Sequence, residues 1–239
     1  VTSELVQHAL AQRGNERHAI ERVLCALAPW IGVHRPRLPV TCVRTFFRQL
    51  LLAREPVVFN EVVQALPVIC PSLACHMTAT QAEDLVLETA RAWMDQTPTC
   101  DPLHGLLQRA REALEAMPHT TRIRNELAFL NLLARLHEYA WPSSAEPLTP
   151  RRVRAVPQKL ELFARVLAYN RDAYQTRQIR SLGEACSEGS GSTDNAVRIS
   201  AMLVDAAAAN GDLVAACREC ERLVTRVQAI DRATNVEAY

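Results

Sequence analysis

Cysteine and histidine carry the first candidate chemistry in this chain, because their spacing can make a metal site or a redox pair. Cys217-x-x-Cys220 has the spacing of half a zinc site or of a thioredoxin-type dithiol. Zinc needs four ligands, and the nearest histidine in sequence is the distant His137. A redox pair usually opens a helix after a strand, whereas this pair lies inside the helical pattern from Leu213 to Val227. At i, i+3 the two thiols share a face beside Ala216 and Leu223, so they read as core packing. Cys70, Cys75 and His76 could supply three ligands, but no second cluster completes a site. No metal and no cofactor is expected, with a zinc-binding helical protein as one alternative.

Catalytic motifs are equally scarce. His137-Glu138 has no second histidine four residues along from His137, and there is no GxSxG elbow. The glycines of SEGSGST (187–193) lack the lysine of a phosphate-binding loop and do not follow a strand. That stretch reads as a loop ahead of a helix capped at Thr193 or Asp194. The chain is expected not to be an enzyme. What remains is charge: Arg151, Arg152 and Arg154 are its sharpest local concentration. Guanidinium forks suit carboxylates and phosphates, so these three are the candidate partner-binding residues, for an acidic segment or a lipid head group.

The elements that must position such residues are helical. Glycine is scarce at 7 and aromatics make 5% of the 239 residues, whereas Leu, Ala, Arg and Glu abound. A sheet protein needs turn glycines and β-branched or aromatic strands, so the balance favours helix. The net charge of +1, from 27 basic and 26 acidic side chains, lacks the basic excess of a nucleic-acid binder. No apolar run approaches the roughly 18–20 residues of a membrane span. The first residue is Val1, with no signal-type segment, and the chain is expected to be a section of a longer polypeptide. Eight cysteines diluted in such a chain read as reduced, buried thiols of a cytoplasmic protein.

Apolar residues recur at helical spacing nearly throughout. Early stripes include Leu5 to Leu10, Ala19 to Leu27, Val43 to Leu51 and Phe59 to Leu66, interrupted by the prolines of HRPRLP. Thr80 and Glu83 have capping-box spacing ahead of Leu85, Val86, Ala90, Trp93 and Met94. Asp101-Pro102 predicts an N-cap and first-turn proline, and a further helix runs from about Thr121 to Tyr139. Residues 141–157 contain four prolines, yet Trp141, Leu148 and Val153 give them apolar anchors, so they read as an ordered connection. Asn210-Gly211-Asp212 hinges the last two helices, whose Ala206 to Ala209, Ala215 and Ala216 allow close axes.

The expected fold is all-α: an α-solenoid-like stack of antiparallel helical hairpins with about ten helices. Residues 1–140 form its N-terminal part, 141–157 the proline-rich connection, and 158–239 the C-terminal hairpins of the same stack.

The order of short patterns carries a family likeness. ETARAWM is followed by NELAFLNLLARLHEYAWP, then by Pro147-Leu148 and Val153-Arg154. Leu160, Leu162, the stretch from Asn170 to Tyr174 and Leu182 come next, and GDLVAACRECERL places Asp212, Ala215, Ala216, Cys220 and Leu223 in register. From about Leu85 onward the chain thereby resembles the neuroblastoma-amplified sequence family of secretory-pathway tethers. The kinetochore protein Rough deal, with related architecture, is the nearest competitor. The resemblance implies a non-catalytic scaffold in a vesicle-tethering complex of the endoplasmic reticulum, serving Golgi-to-ER retrograde transport. Its implied partners are other tether subunits and ER SNARE proteins, with no nucleic acid. Its implied place is cytoplasmic, peripheral to the ER membrane through those partners.

Overall fold

The computed structural model describes residues 44, 45, 47, 48, 51, 63, 78–142, 147–187 and 193–237. Among them every regular element is helical, as expected: eight α-helices and one 3-10 turn, with no strand. Most of the four early stripes, and Cys70, Cys75, His76 and the SEGSGST glycines, lie outside the described residues. The chain divides into two compact units, one of residues 1–96 and 105–127, the other of 97–104 and 128–239.

In the first unit, α1 (Ala79–Gln96) and α2 (Gly105–Glu115) pack together. The start of α1 differs from the sequence expectation. Thr78 Oγ1 accepts from the Gln81 N–H at 3.3 Å, and Gln81 Oε1 accepts from the Thr78 N–H at 2.9 Å. The capping box is therefore Thr78-x-x-Gln81, two residues ahead of Thr80-x-x-Glu83. Both pairs have the right spacing, and the one at the first unpaired N–H groups does the capping. Glu83 instead faces Arg122, as does Asp84, at 3.5 and 2.7 Å.

Ala82, Leu85, Val86, Ala90, Trp93 and Met94 form the buried stripe of α1, with Phe47, Leu51 and Val63 also buried in this unit. Each such large side chain is worth about 1.5–3 kcal/mol when fully removed from water. A buried hydroxyl, Thr89, is satisfied by donating to the Leu85 carbonyl at 2.8 Å. Asp101-Pro102 does not open α2. Asp101 Oδ1 accepts from the Leu103 N–H at 2.9 Å, an Asx-type turn that delays the helix to Gly105. Helix α3 (Thr121–His137) follows, and the unit boundary falls within it.

The second unit holds α4 (Pro150–Ala155), α5 (Leu160–Tyr169), a 3-10 turn (Ala173–Gln175), α6 (Arg177–Ser187), α7 (Thr193–Ala209) and α8 (Leu213–Glu237). Its core gathers Leu133, Leu136, Val153, Phe163, Val166, Ile179, Leu182, Ile199 and Leu203. Gly183 brings α6 close to α7: a Cβ there would sit 2.9 Å from Ile199 Cγ2. Helices α7 and α8 pack across the expected hinge, where Gly211 adopts φ +77°, the left-handed conformation glycine takes at least cost. Of the alanines around that hinge, Ala207 and Ala216 are buried while Ala208 and Ala209 are exposed. No helix among the described residues is long and apolar enough to cross a membrane.

Candidate partner-binding surface

The arginine trio sits on α4 rather than in an irregular loop. Thr149 caps this short helix by accepting from the Arg152 N–H at 3.3 Å, and Pro150 occupies its first turn. At its other end the Lys159 ammonium donates to the carbonyls of Val153, Arg154 and Val156. These are the acceptors a helix end leaves unpaired, so a cation completes the turn. Burial, and then the charge of Arg154, hold the Lys159 pKa below its usual value.

The three guanidiniums part company on so short a helix. Arg151 and Arg152 are exposed, with Arg152 reaching back to the Pro147 carbonyl at 3.3 Å. Arg154 is half-buried, its guanidinium carbon 4.3 Å from the centre of the Phe129 ring, a cation–π contact that fastens α4 to α3. The accessible charge is therefore Arg151 and Arg152.

Beside them lies a cleft of about 310 Å³, lined among others by Trp141, Leu148, Arg152, Val156, Arg165 and Tyr169. Trp141 meets Tyr169 edge to face with ring centres 6.1 Å apart, and its indole N–H donates to the Leu136 carbonyl at 3.2 Å. Tyr169 remains 50% exposed. Arginine, tryptophan and tyrosine are the residues on which protein interfaces concentrate their binding energy, since each combines a flat apolar surface with fixed donors. This arrangement can hold a partner's acidic or carbonyl groups against an aromatic ledge. Only the arginines were legible in the sequence as candidates; Tyr169 and Arg165 belong to α5 and join them through folding.

Other singled-out residues turn out to be structural. Asn170 Oδ1 accepts from the Ala140 N–H, and its amide donates to the carbonyls of Ala140 and Val166, all at 3.0 Å. That one side chain ties the end of α3 to the end of α5. The Tyr174 hydroxyl donates to Asp212 Oδ2 at 3.2 Å, while Asp212 Oδ1 caps α8 by accepting from the Ala215 N–H at 2.9 Å. Asn210 donates to the Arg171 carbonyl at 3.2 Å. The 170–174 turn and the 210–212 hinge thus form one joint.

The cysteines need a correction. Cys217 and Cys220 are exposed, not core residues. At about 100° per residue, Cys217 lies about 100° around α8 from Ala216 and about 120° from Leu223, and Cys220 about 40° and about 60° from the same two. Cys100 and Cys186 are buried free thiols, and burial pushes both up to about 12. Among the described residues no group of three or more His, Cys, Asp or Glu side chains could hold a metal ion. His137 instead lies 3.9 Å from Asp101.

Two comparisons with known proteins bear on these surfaces. No curated protein matches the chain. Residues 44–237, well over half of it, match the sequence profile of a family described as secretory pathway protein Sec39.

Proposed function

Because the chain belongs to the secretory pathway protein Sec39 family, we propose that it is a section of a large tethering subunit, a non-catalytic helical scaffold that captures Golgi-derived retrograde vesicles at the endoplasmic reticulum. The observation that carries this reading is the family match itself, running through an all-helical body whose shared surfaces are helix faces and joints. Helical stacks bind through extended surfaces of this kind and need no reaction centre. Within the family, the likeness of the 85–223 patterns to neuroblastoma-amplified sequence proteins favours that branch, with ER SNARE proteins and other tether subunits as partners. The protein then sits on the cytoplasmic side, peripheral to the membrane through those partners. The α4 face is the proposed contact: Arg151 and Arg152 supply charge, and Arg154 holds the helix in place over Phe129.

The test is affinity capture from cells of the tagged chain and of an Arg151→Glu/Arg152→Glu variant, with melting temperatures measured for both. Tether subunits and ER SNAREs should come down with the parent chain, and at least one of them should be depleted by the charge reversal at unchanged melting temperature. Recovery of kinetochore components instead would replace the tethering reading with the Rough deal-type one. If the reversal leaves every partner bound, α4 is a structural strut and the contact lies elsewhere.

A further inference from the structure

A second surface of the same unit is set apart from α4 by its charge. The 3-10 turn, the first half of α6 and the middle of α8 enclose an open groove of about 1070 Å³. Arg177 and Arg180 line it from α6, and Arg218, Arg222 and Arg226 line it from α8. The three on α8 are spaced i, i+4, i+8, so they form a ladder along one face, about 12 Å long at 1.5 Å per residue.

The carboxylates in the groove are largely committed. Glu219 is held between Arg180 and Arg222. Asp212 is occupied with the α8 cap and with Tyr174. Glu221, the third, is exposed on α8. Five guanidiniums thus face three carboxylates. Arg226 is positioned by neutral acceptors, the Ala196 carbonyl at 3.3 Å and the Ser200 hydroxyl at 3.4 Å, neither of which cancels its charge. Burial, and then the proximity of Arg222 and Arg226, hold the Arg180 pKa below its usual value, while Glu184 of α6 acts the other way. Arg177 and Arg218 stand exposed at the groove's edges.

We propose that this groove is a docking site for an acidic α-helical segment of a partner protein, with carboxylates at i, i+4, i+8 set against the Arg218–Arg222–Arg226 ladder. The charge imbalance selects the sign of the partner, since a concave surface with an excess of one sign concentrates the opposite charge. Guanidinium forks select carboxylates, which they bind in paired geometry. The concavity selects a rod over a plane: a helix can enter a groove between α6 and α8, while a bilayer surface reaches only its rim. Between the charges the floor of the groove is the small, half-buried Ala215, which leaves room for a helix backbone to approach. The proposal stands on charge and shape, independently of the α4 contact and of the tethering role.

The probe is a fluorescein-labelled helical peptide of about 15 residues, long enough to hold helix, with glutamates at i, i+4 and i+8. Its control carries glutamine at those positions. Fluorescence anisotropy with the full chain should show saturable binding of the glutamate peptide, weakened by salt, and about tenfold weaker binding of the control. An Arg177→Glu/Arg218→Glu variant changes only exposed side chains, keeps the Glu219 bridges and should lose a similar factor at unchanged melting temperature. Equal binding of the two peptides, or an undiminished affinity in the variant, overturns the proposal. So does binding to vesicles containing phosphatidylserine or phosphoinositide, abolished by the same variant, with no peptide binding.

Discussion

Replacing Gly183 by alanine should weaken the α6–α7 contact even though alanine is the better helix former. Gly183 lies inside α6, where the exchange alone would gain about 0.5–1 kcal/mol. The added Cβ, however, would lie 2.9 Å from Ile199 Cγ2, 3.2 Å from Cγ1 and 3.3 Å from Cδ1. Ile199 is 2% exposed and β-branched within a helix, so its Cγ2 cannot rotate out of the way. Overpacking of this kind costs about 1–3 kcal/mol, which against that gain leaves a net loss of up to about 2.5 kcal/mol, centred near about 1 kcal/mol. Urea unfolding followed by far-UV circular dichroism reads this as a lower midpoint at unchanged slope. The partner substitutions separate the causes. Ile199→Val keeps Cγ2, so Gly183→Ala should remain destabilising in that background. Ile199→Ala removes Cγ2, Cγ1 and Cδ1 together, and there Gly183→Ala should change sign and stabilise by up to about 1 kcal/mol. A Gly183→Ala that stabilises the parent chain as much as it does the Ile199→Ala background would show that Ile199 yields freely and that no clash exists.

Three further outcomes follow from the same geometry. Thr78→Ala should cost about 1 kcal/mol by uncapping α1, whereas Thr80→Ala should cost little, as compared in paired urea titrations. Gly211→Ala should lower stability by about 1–2 kcal/mol, since the space around it is open and only the left-handed backbone at φ +77° resists a side chain; Gly211→Asn should cost less. In timed alkylation read by peptide mass spectrometry, Cys217 and Cys220 should label quickly at pH 8. Cys100 and Cys186, buried and with thiols pushed up to about 12, should label only when urea opens the unit.

Helix type was legible in the sequence because apolar spacing and the shortage of glycine point the same way throughout. The positions of the joints were less so. Thr78-x-x-Gln81 and Thr80-x-x-Glu83 obey the same local rule, and only the packing of α1 decides which residue meets the unpaired N–H groups. On α8 the apolar residues Leu213, Val224 and Val227 lie with Cys217 and Cys220 on an exposed seam, while the inward face holds Ala216. Periodicity marks a stripe on a helix but not which neighbour covers it, and that is why the two cysteines read as core. Arg154 shows the same limit. The arginines two and three positions before it face solvent, and its partner, Phe129, is on another helix. The α4 cleft and the α6–α8 groove both assemble side chains from separate helices, so neither could be found along the chain alone.

The central claim, a scaffold acting in retrograde tethering, is tested most directly by depleting the protein and following a cargo that cycles from the Golgi back to the endoplasmic reticulum. Retrieval of this cargo should slow and vesicles bearing it should accumulate, and the parent polypeptide should restore transport while a version lacking residues 44–237 should not. Normal retrieval kinetics after depletion, accompanied by chromosome missegregation, would contradict it.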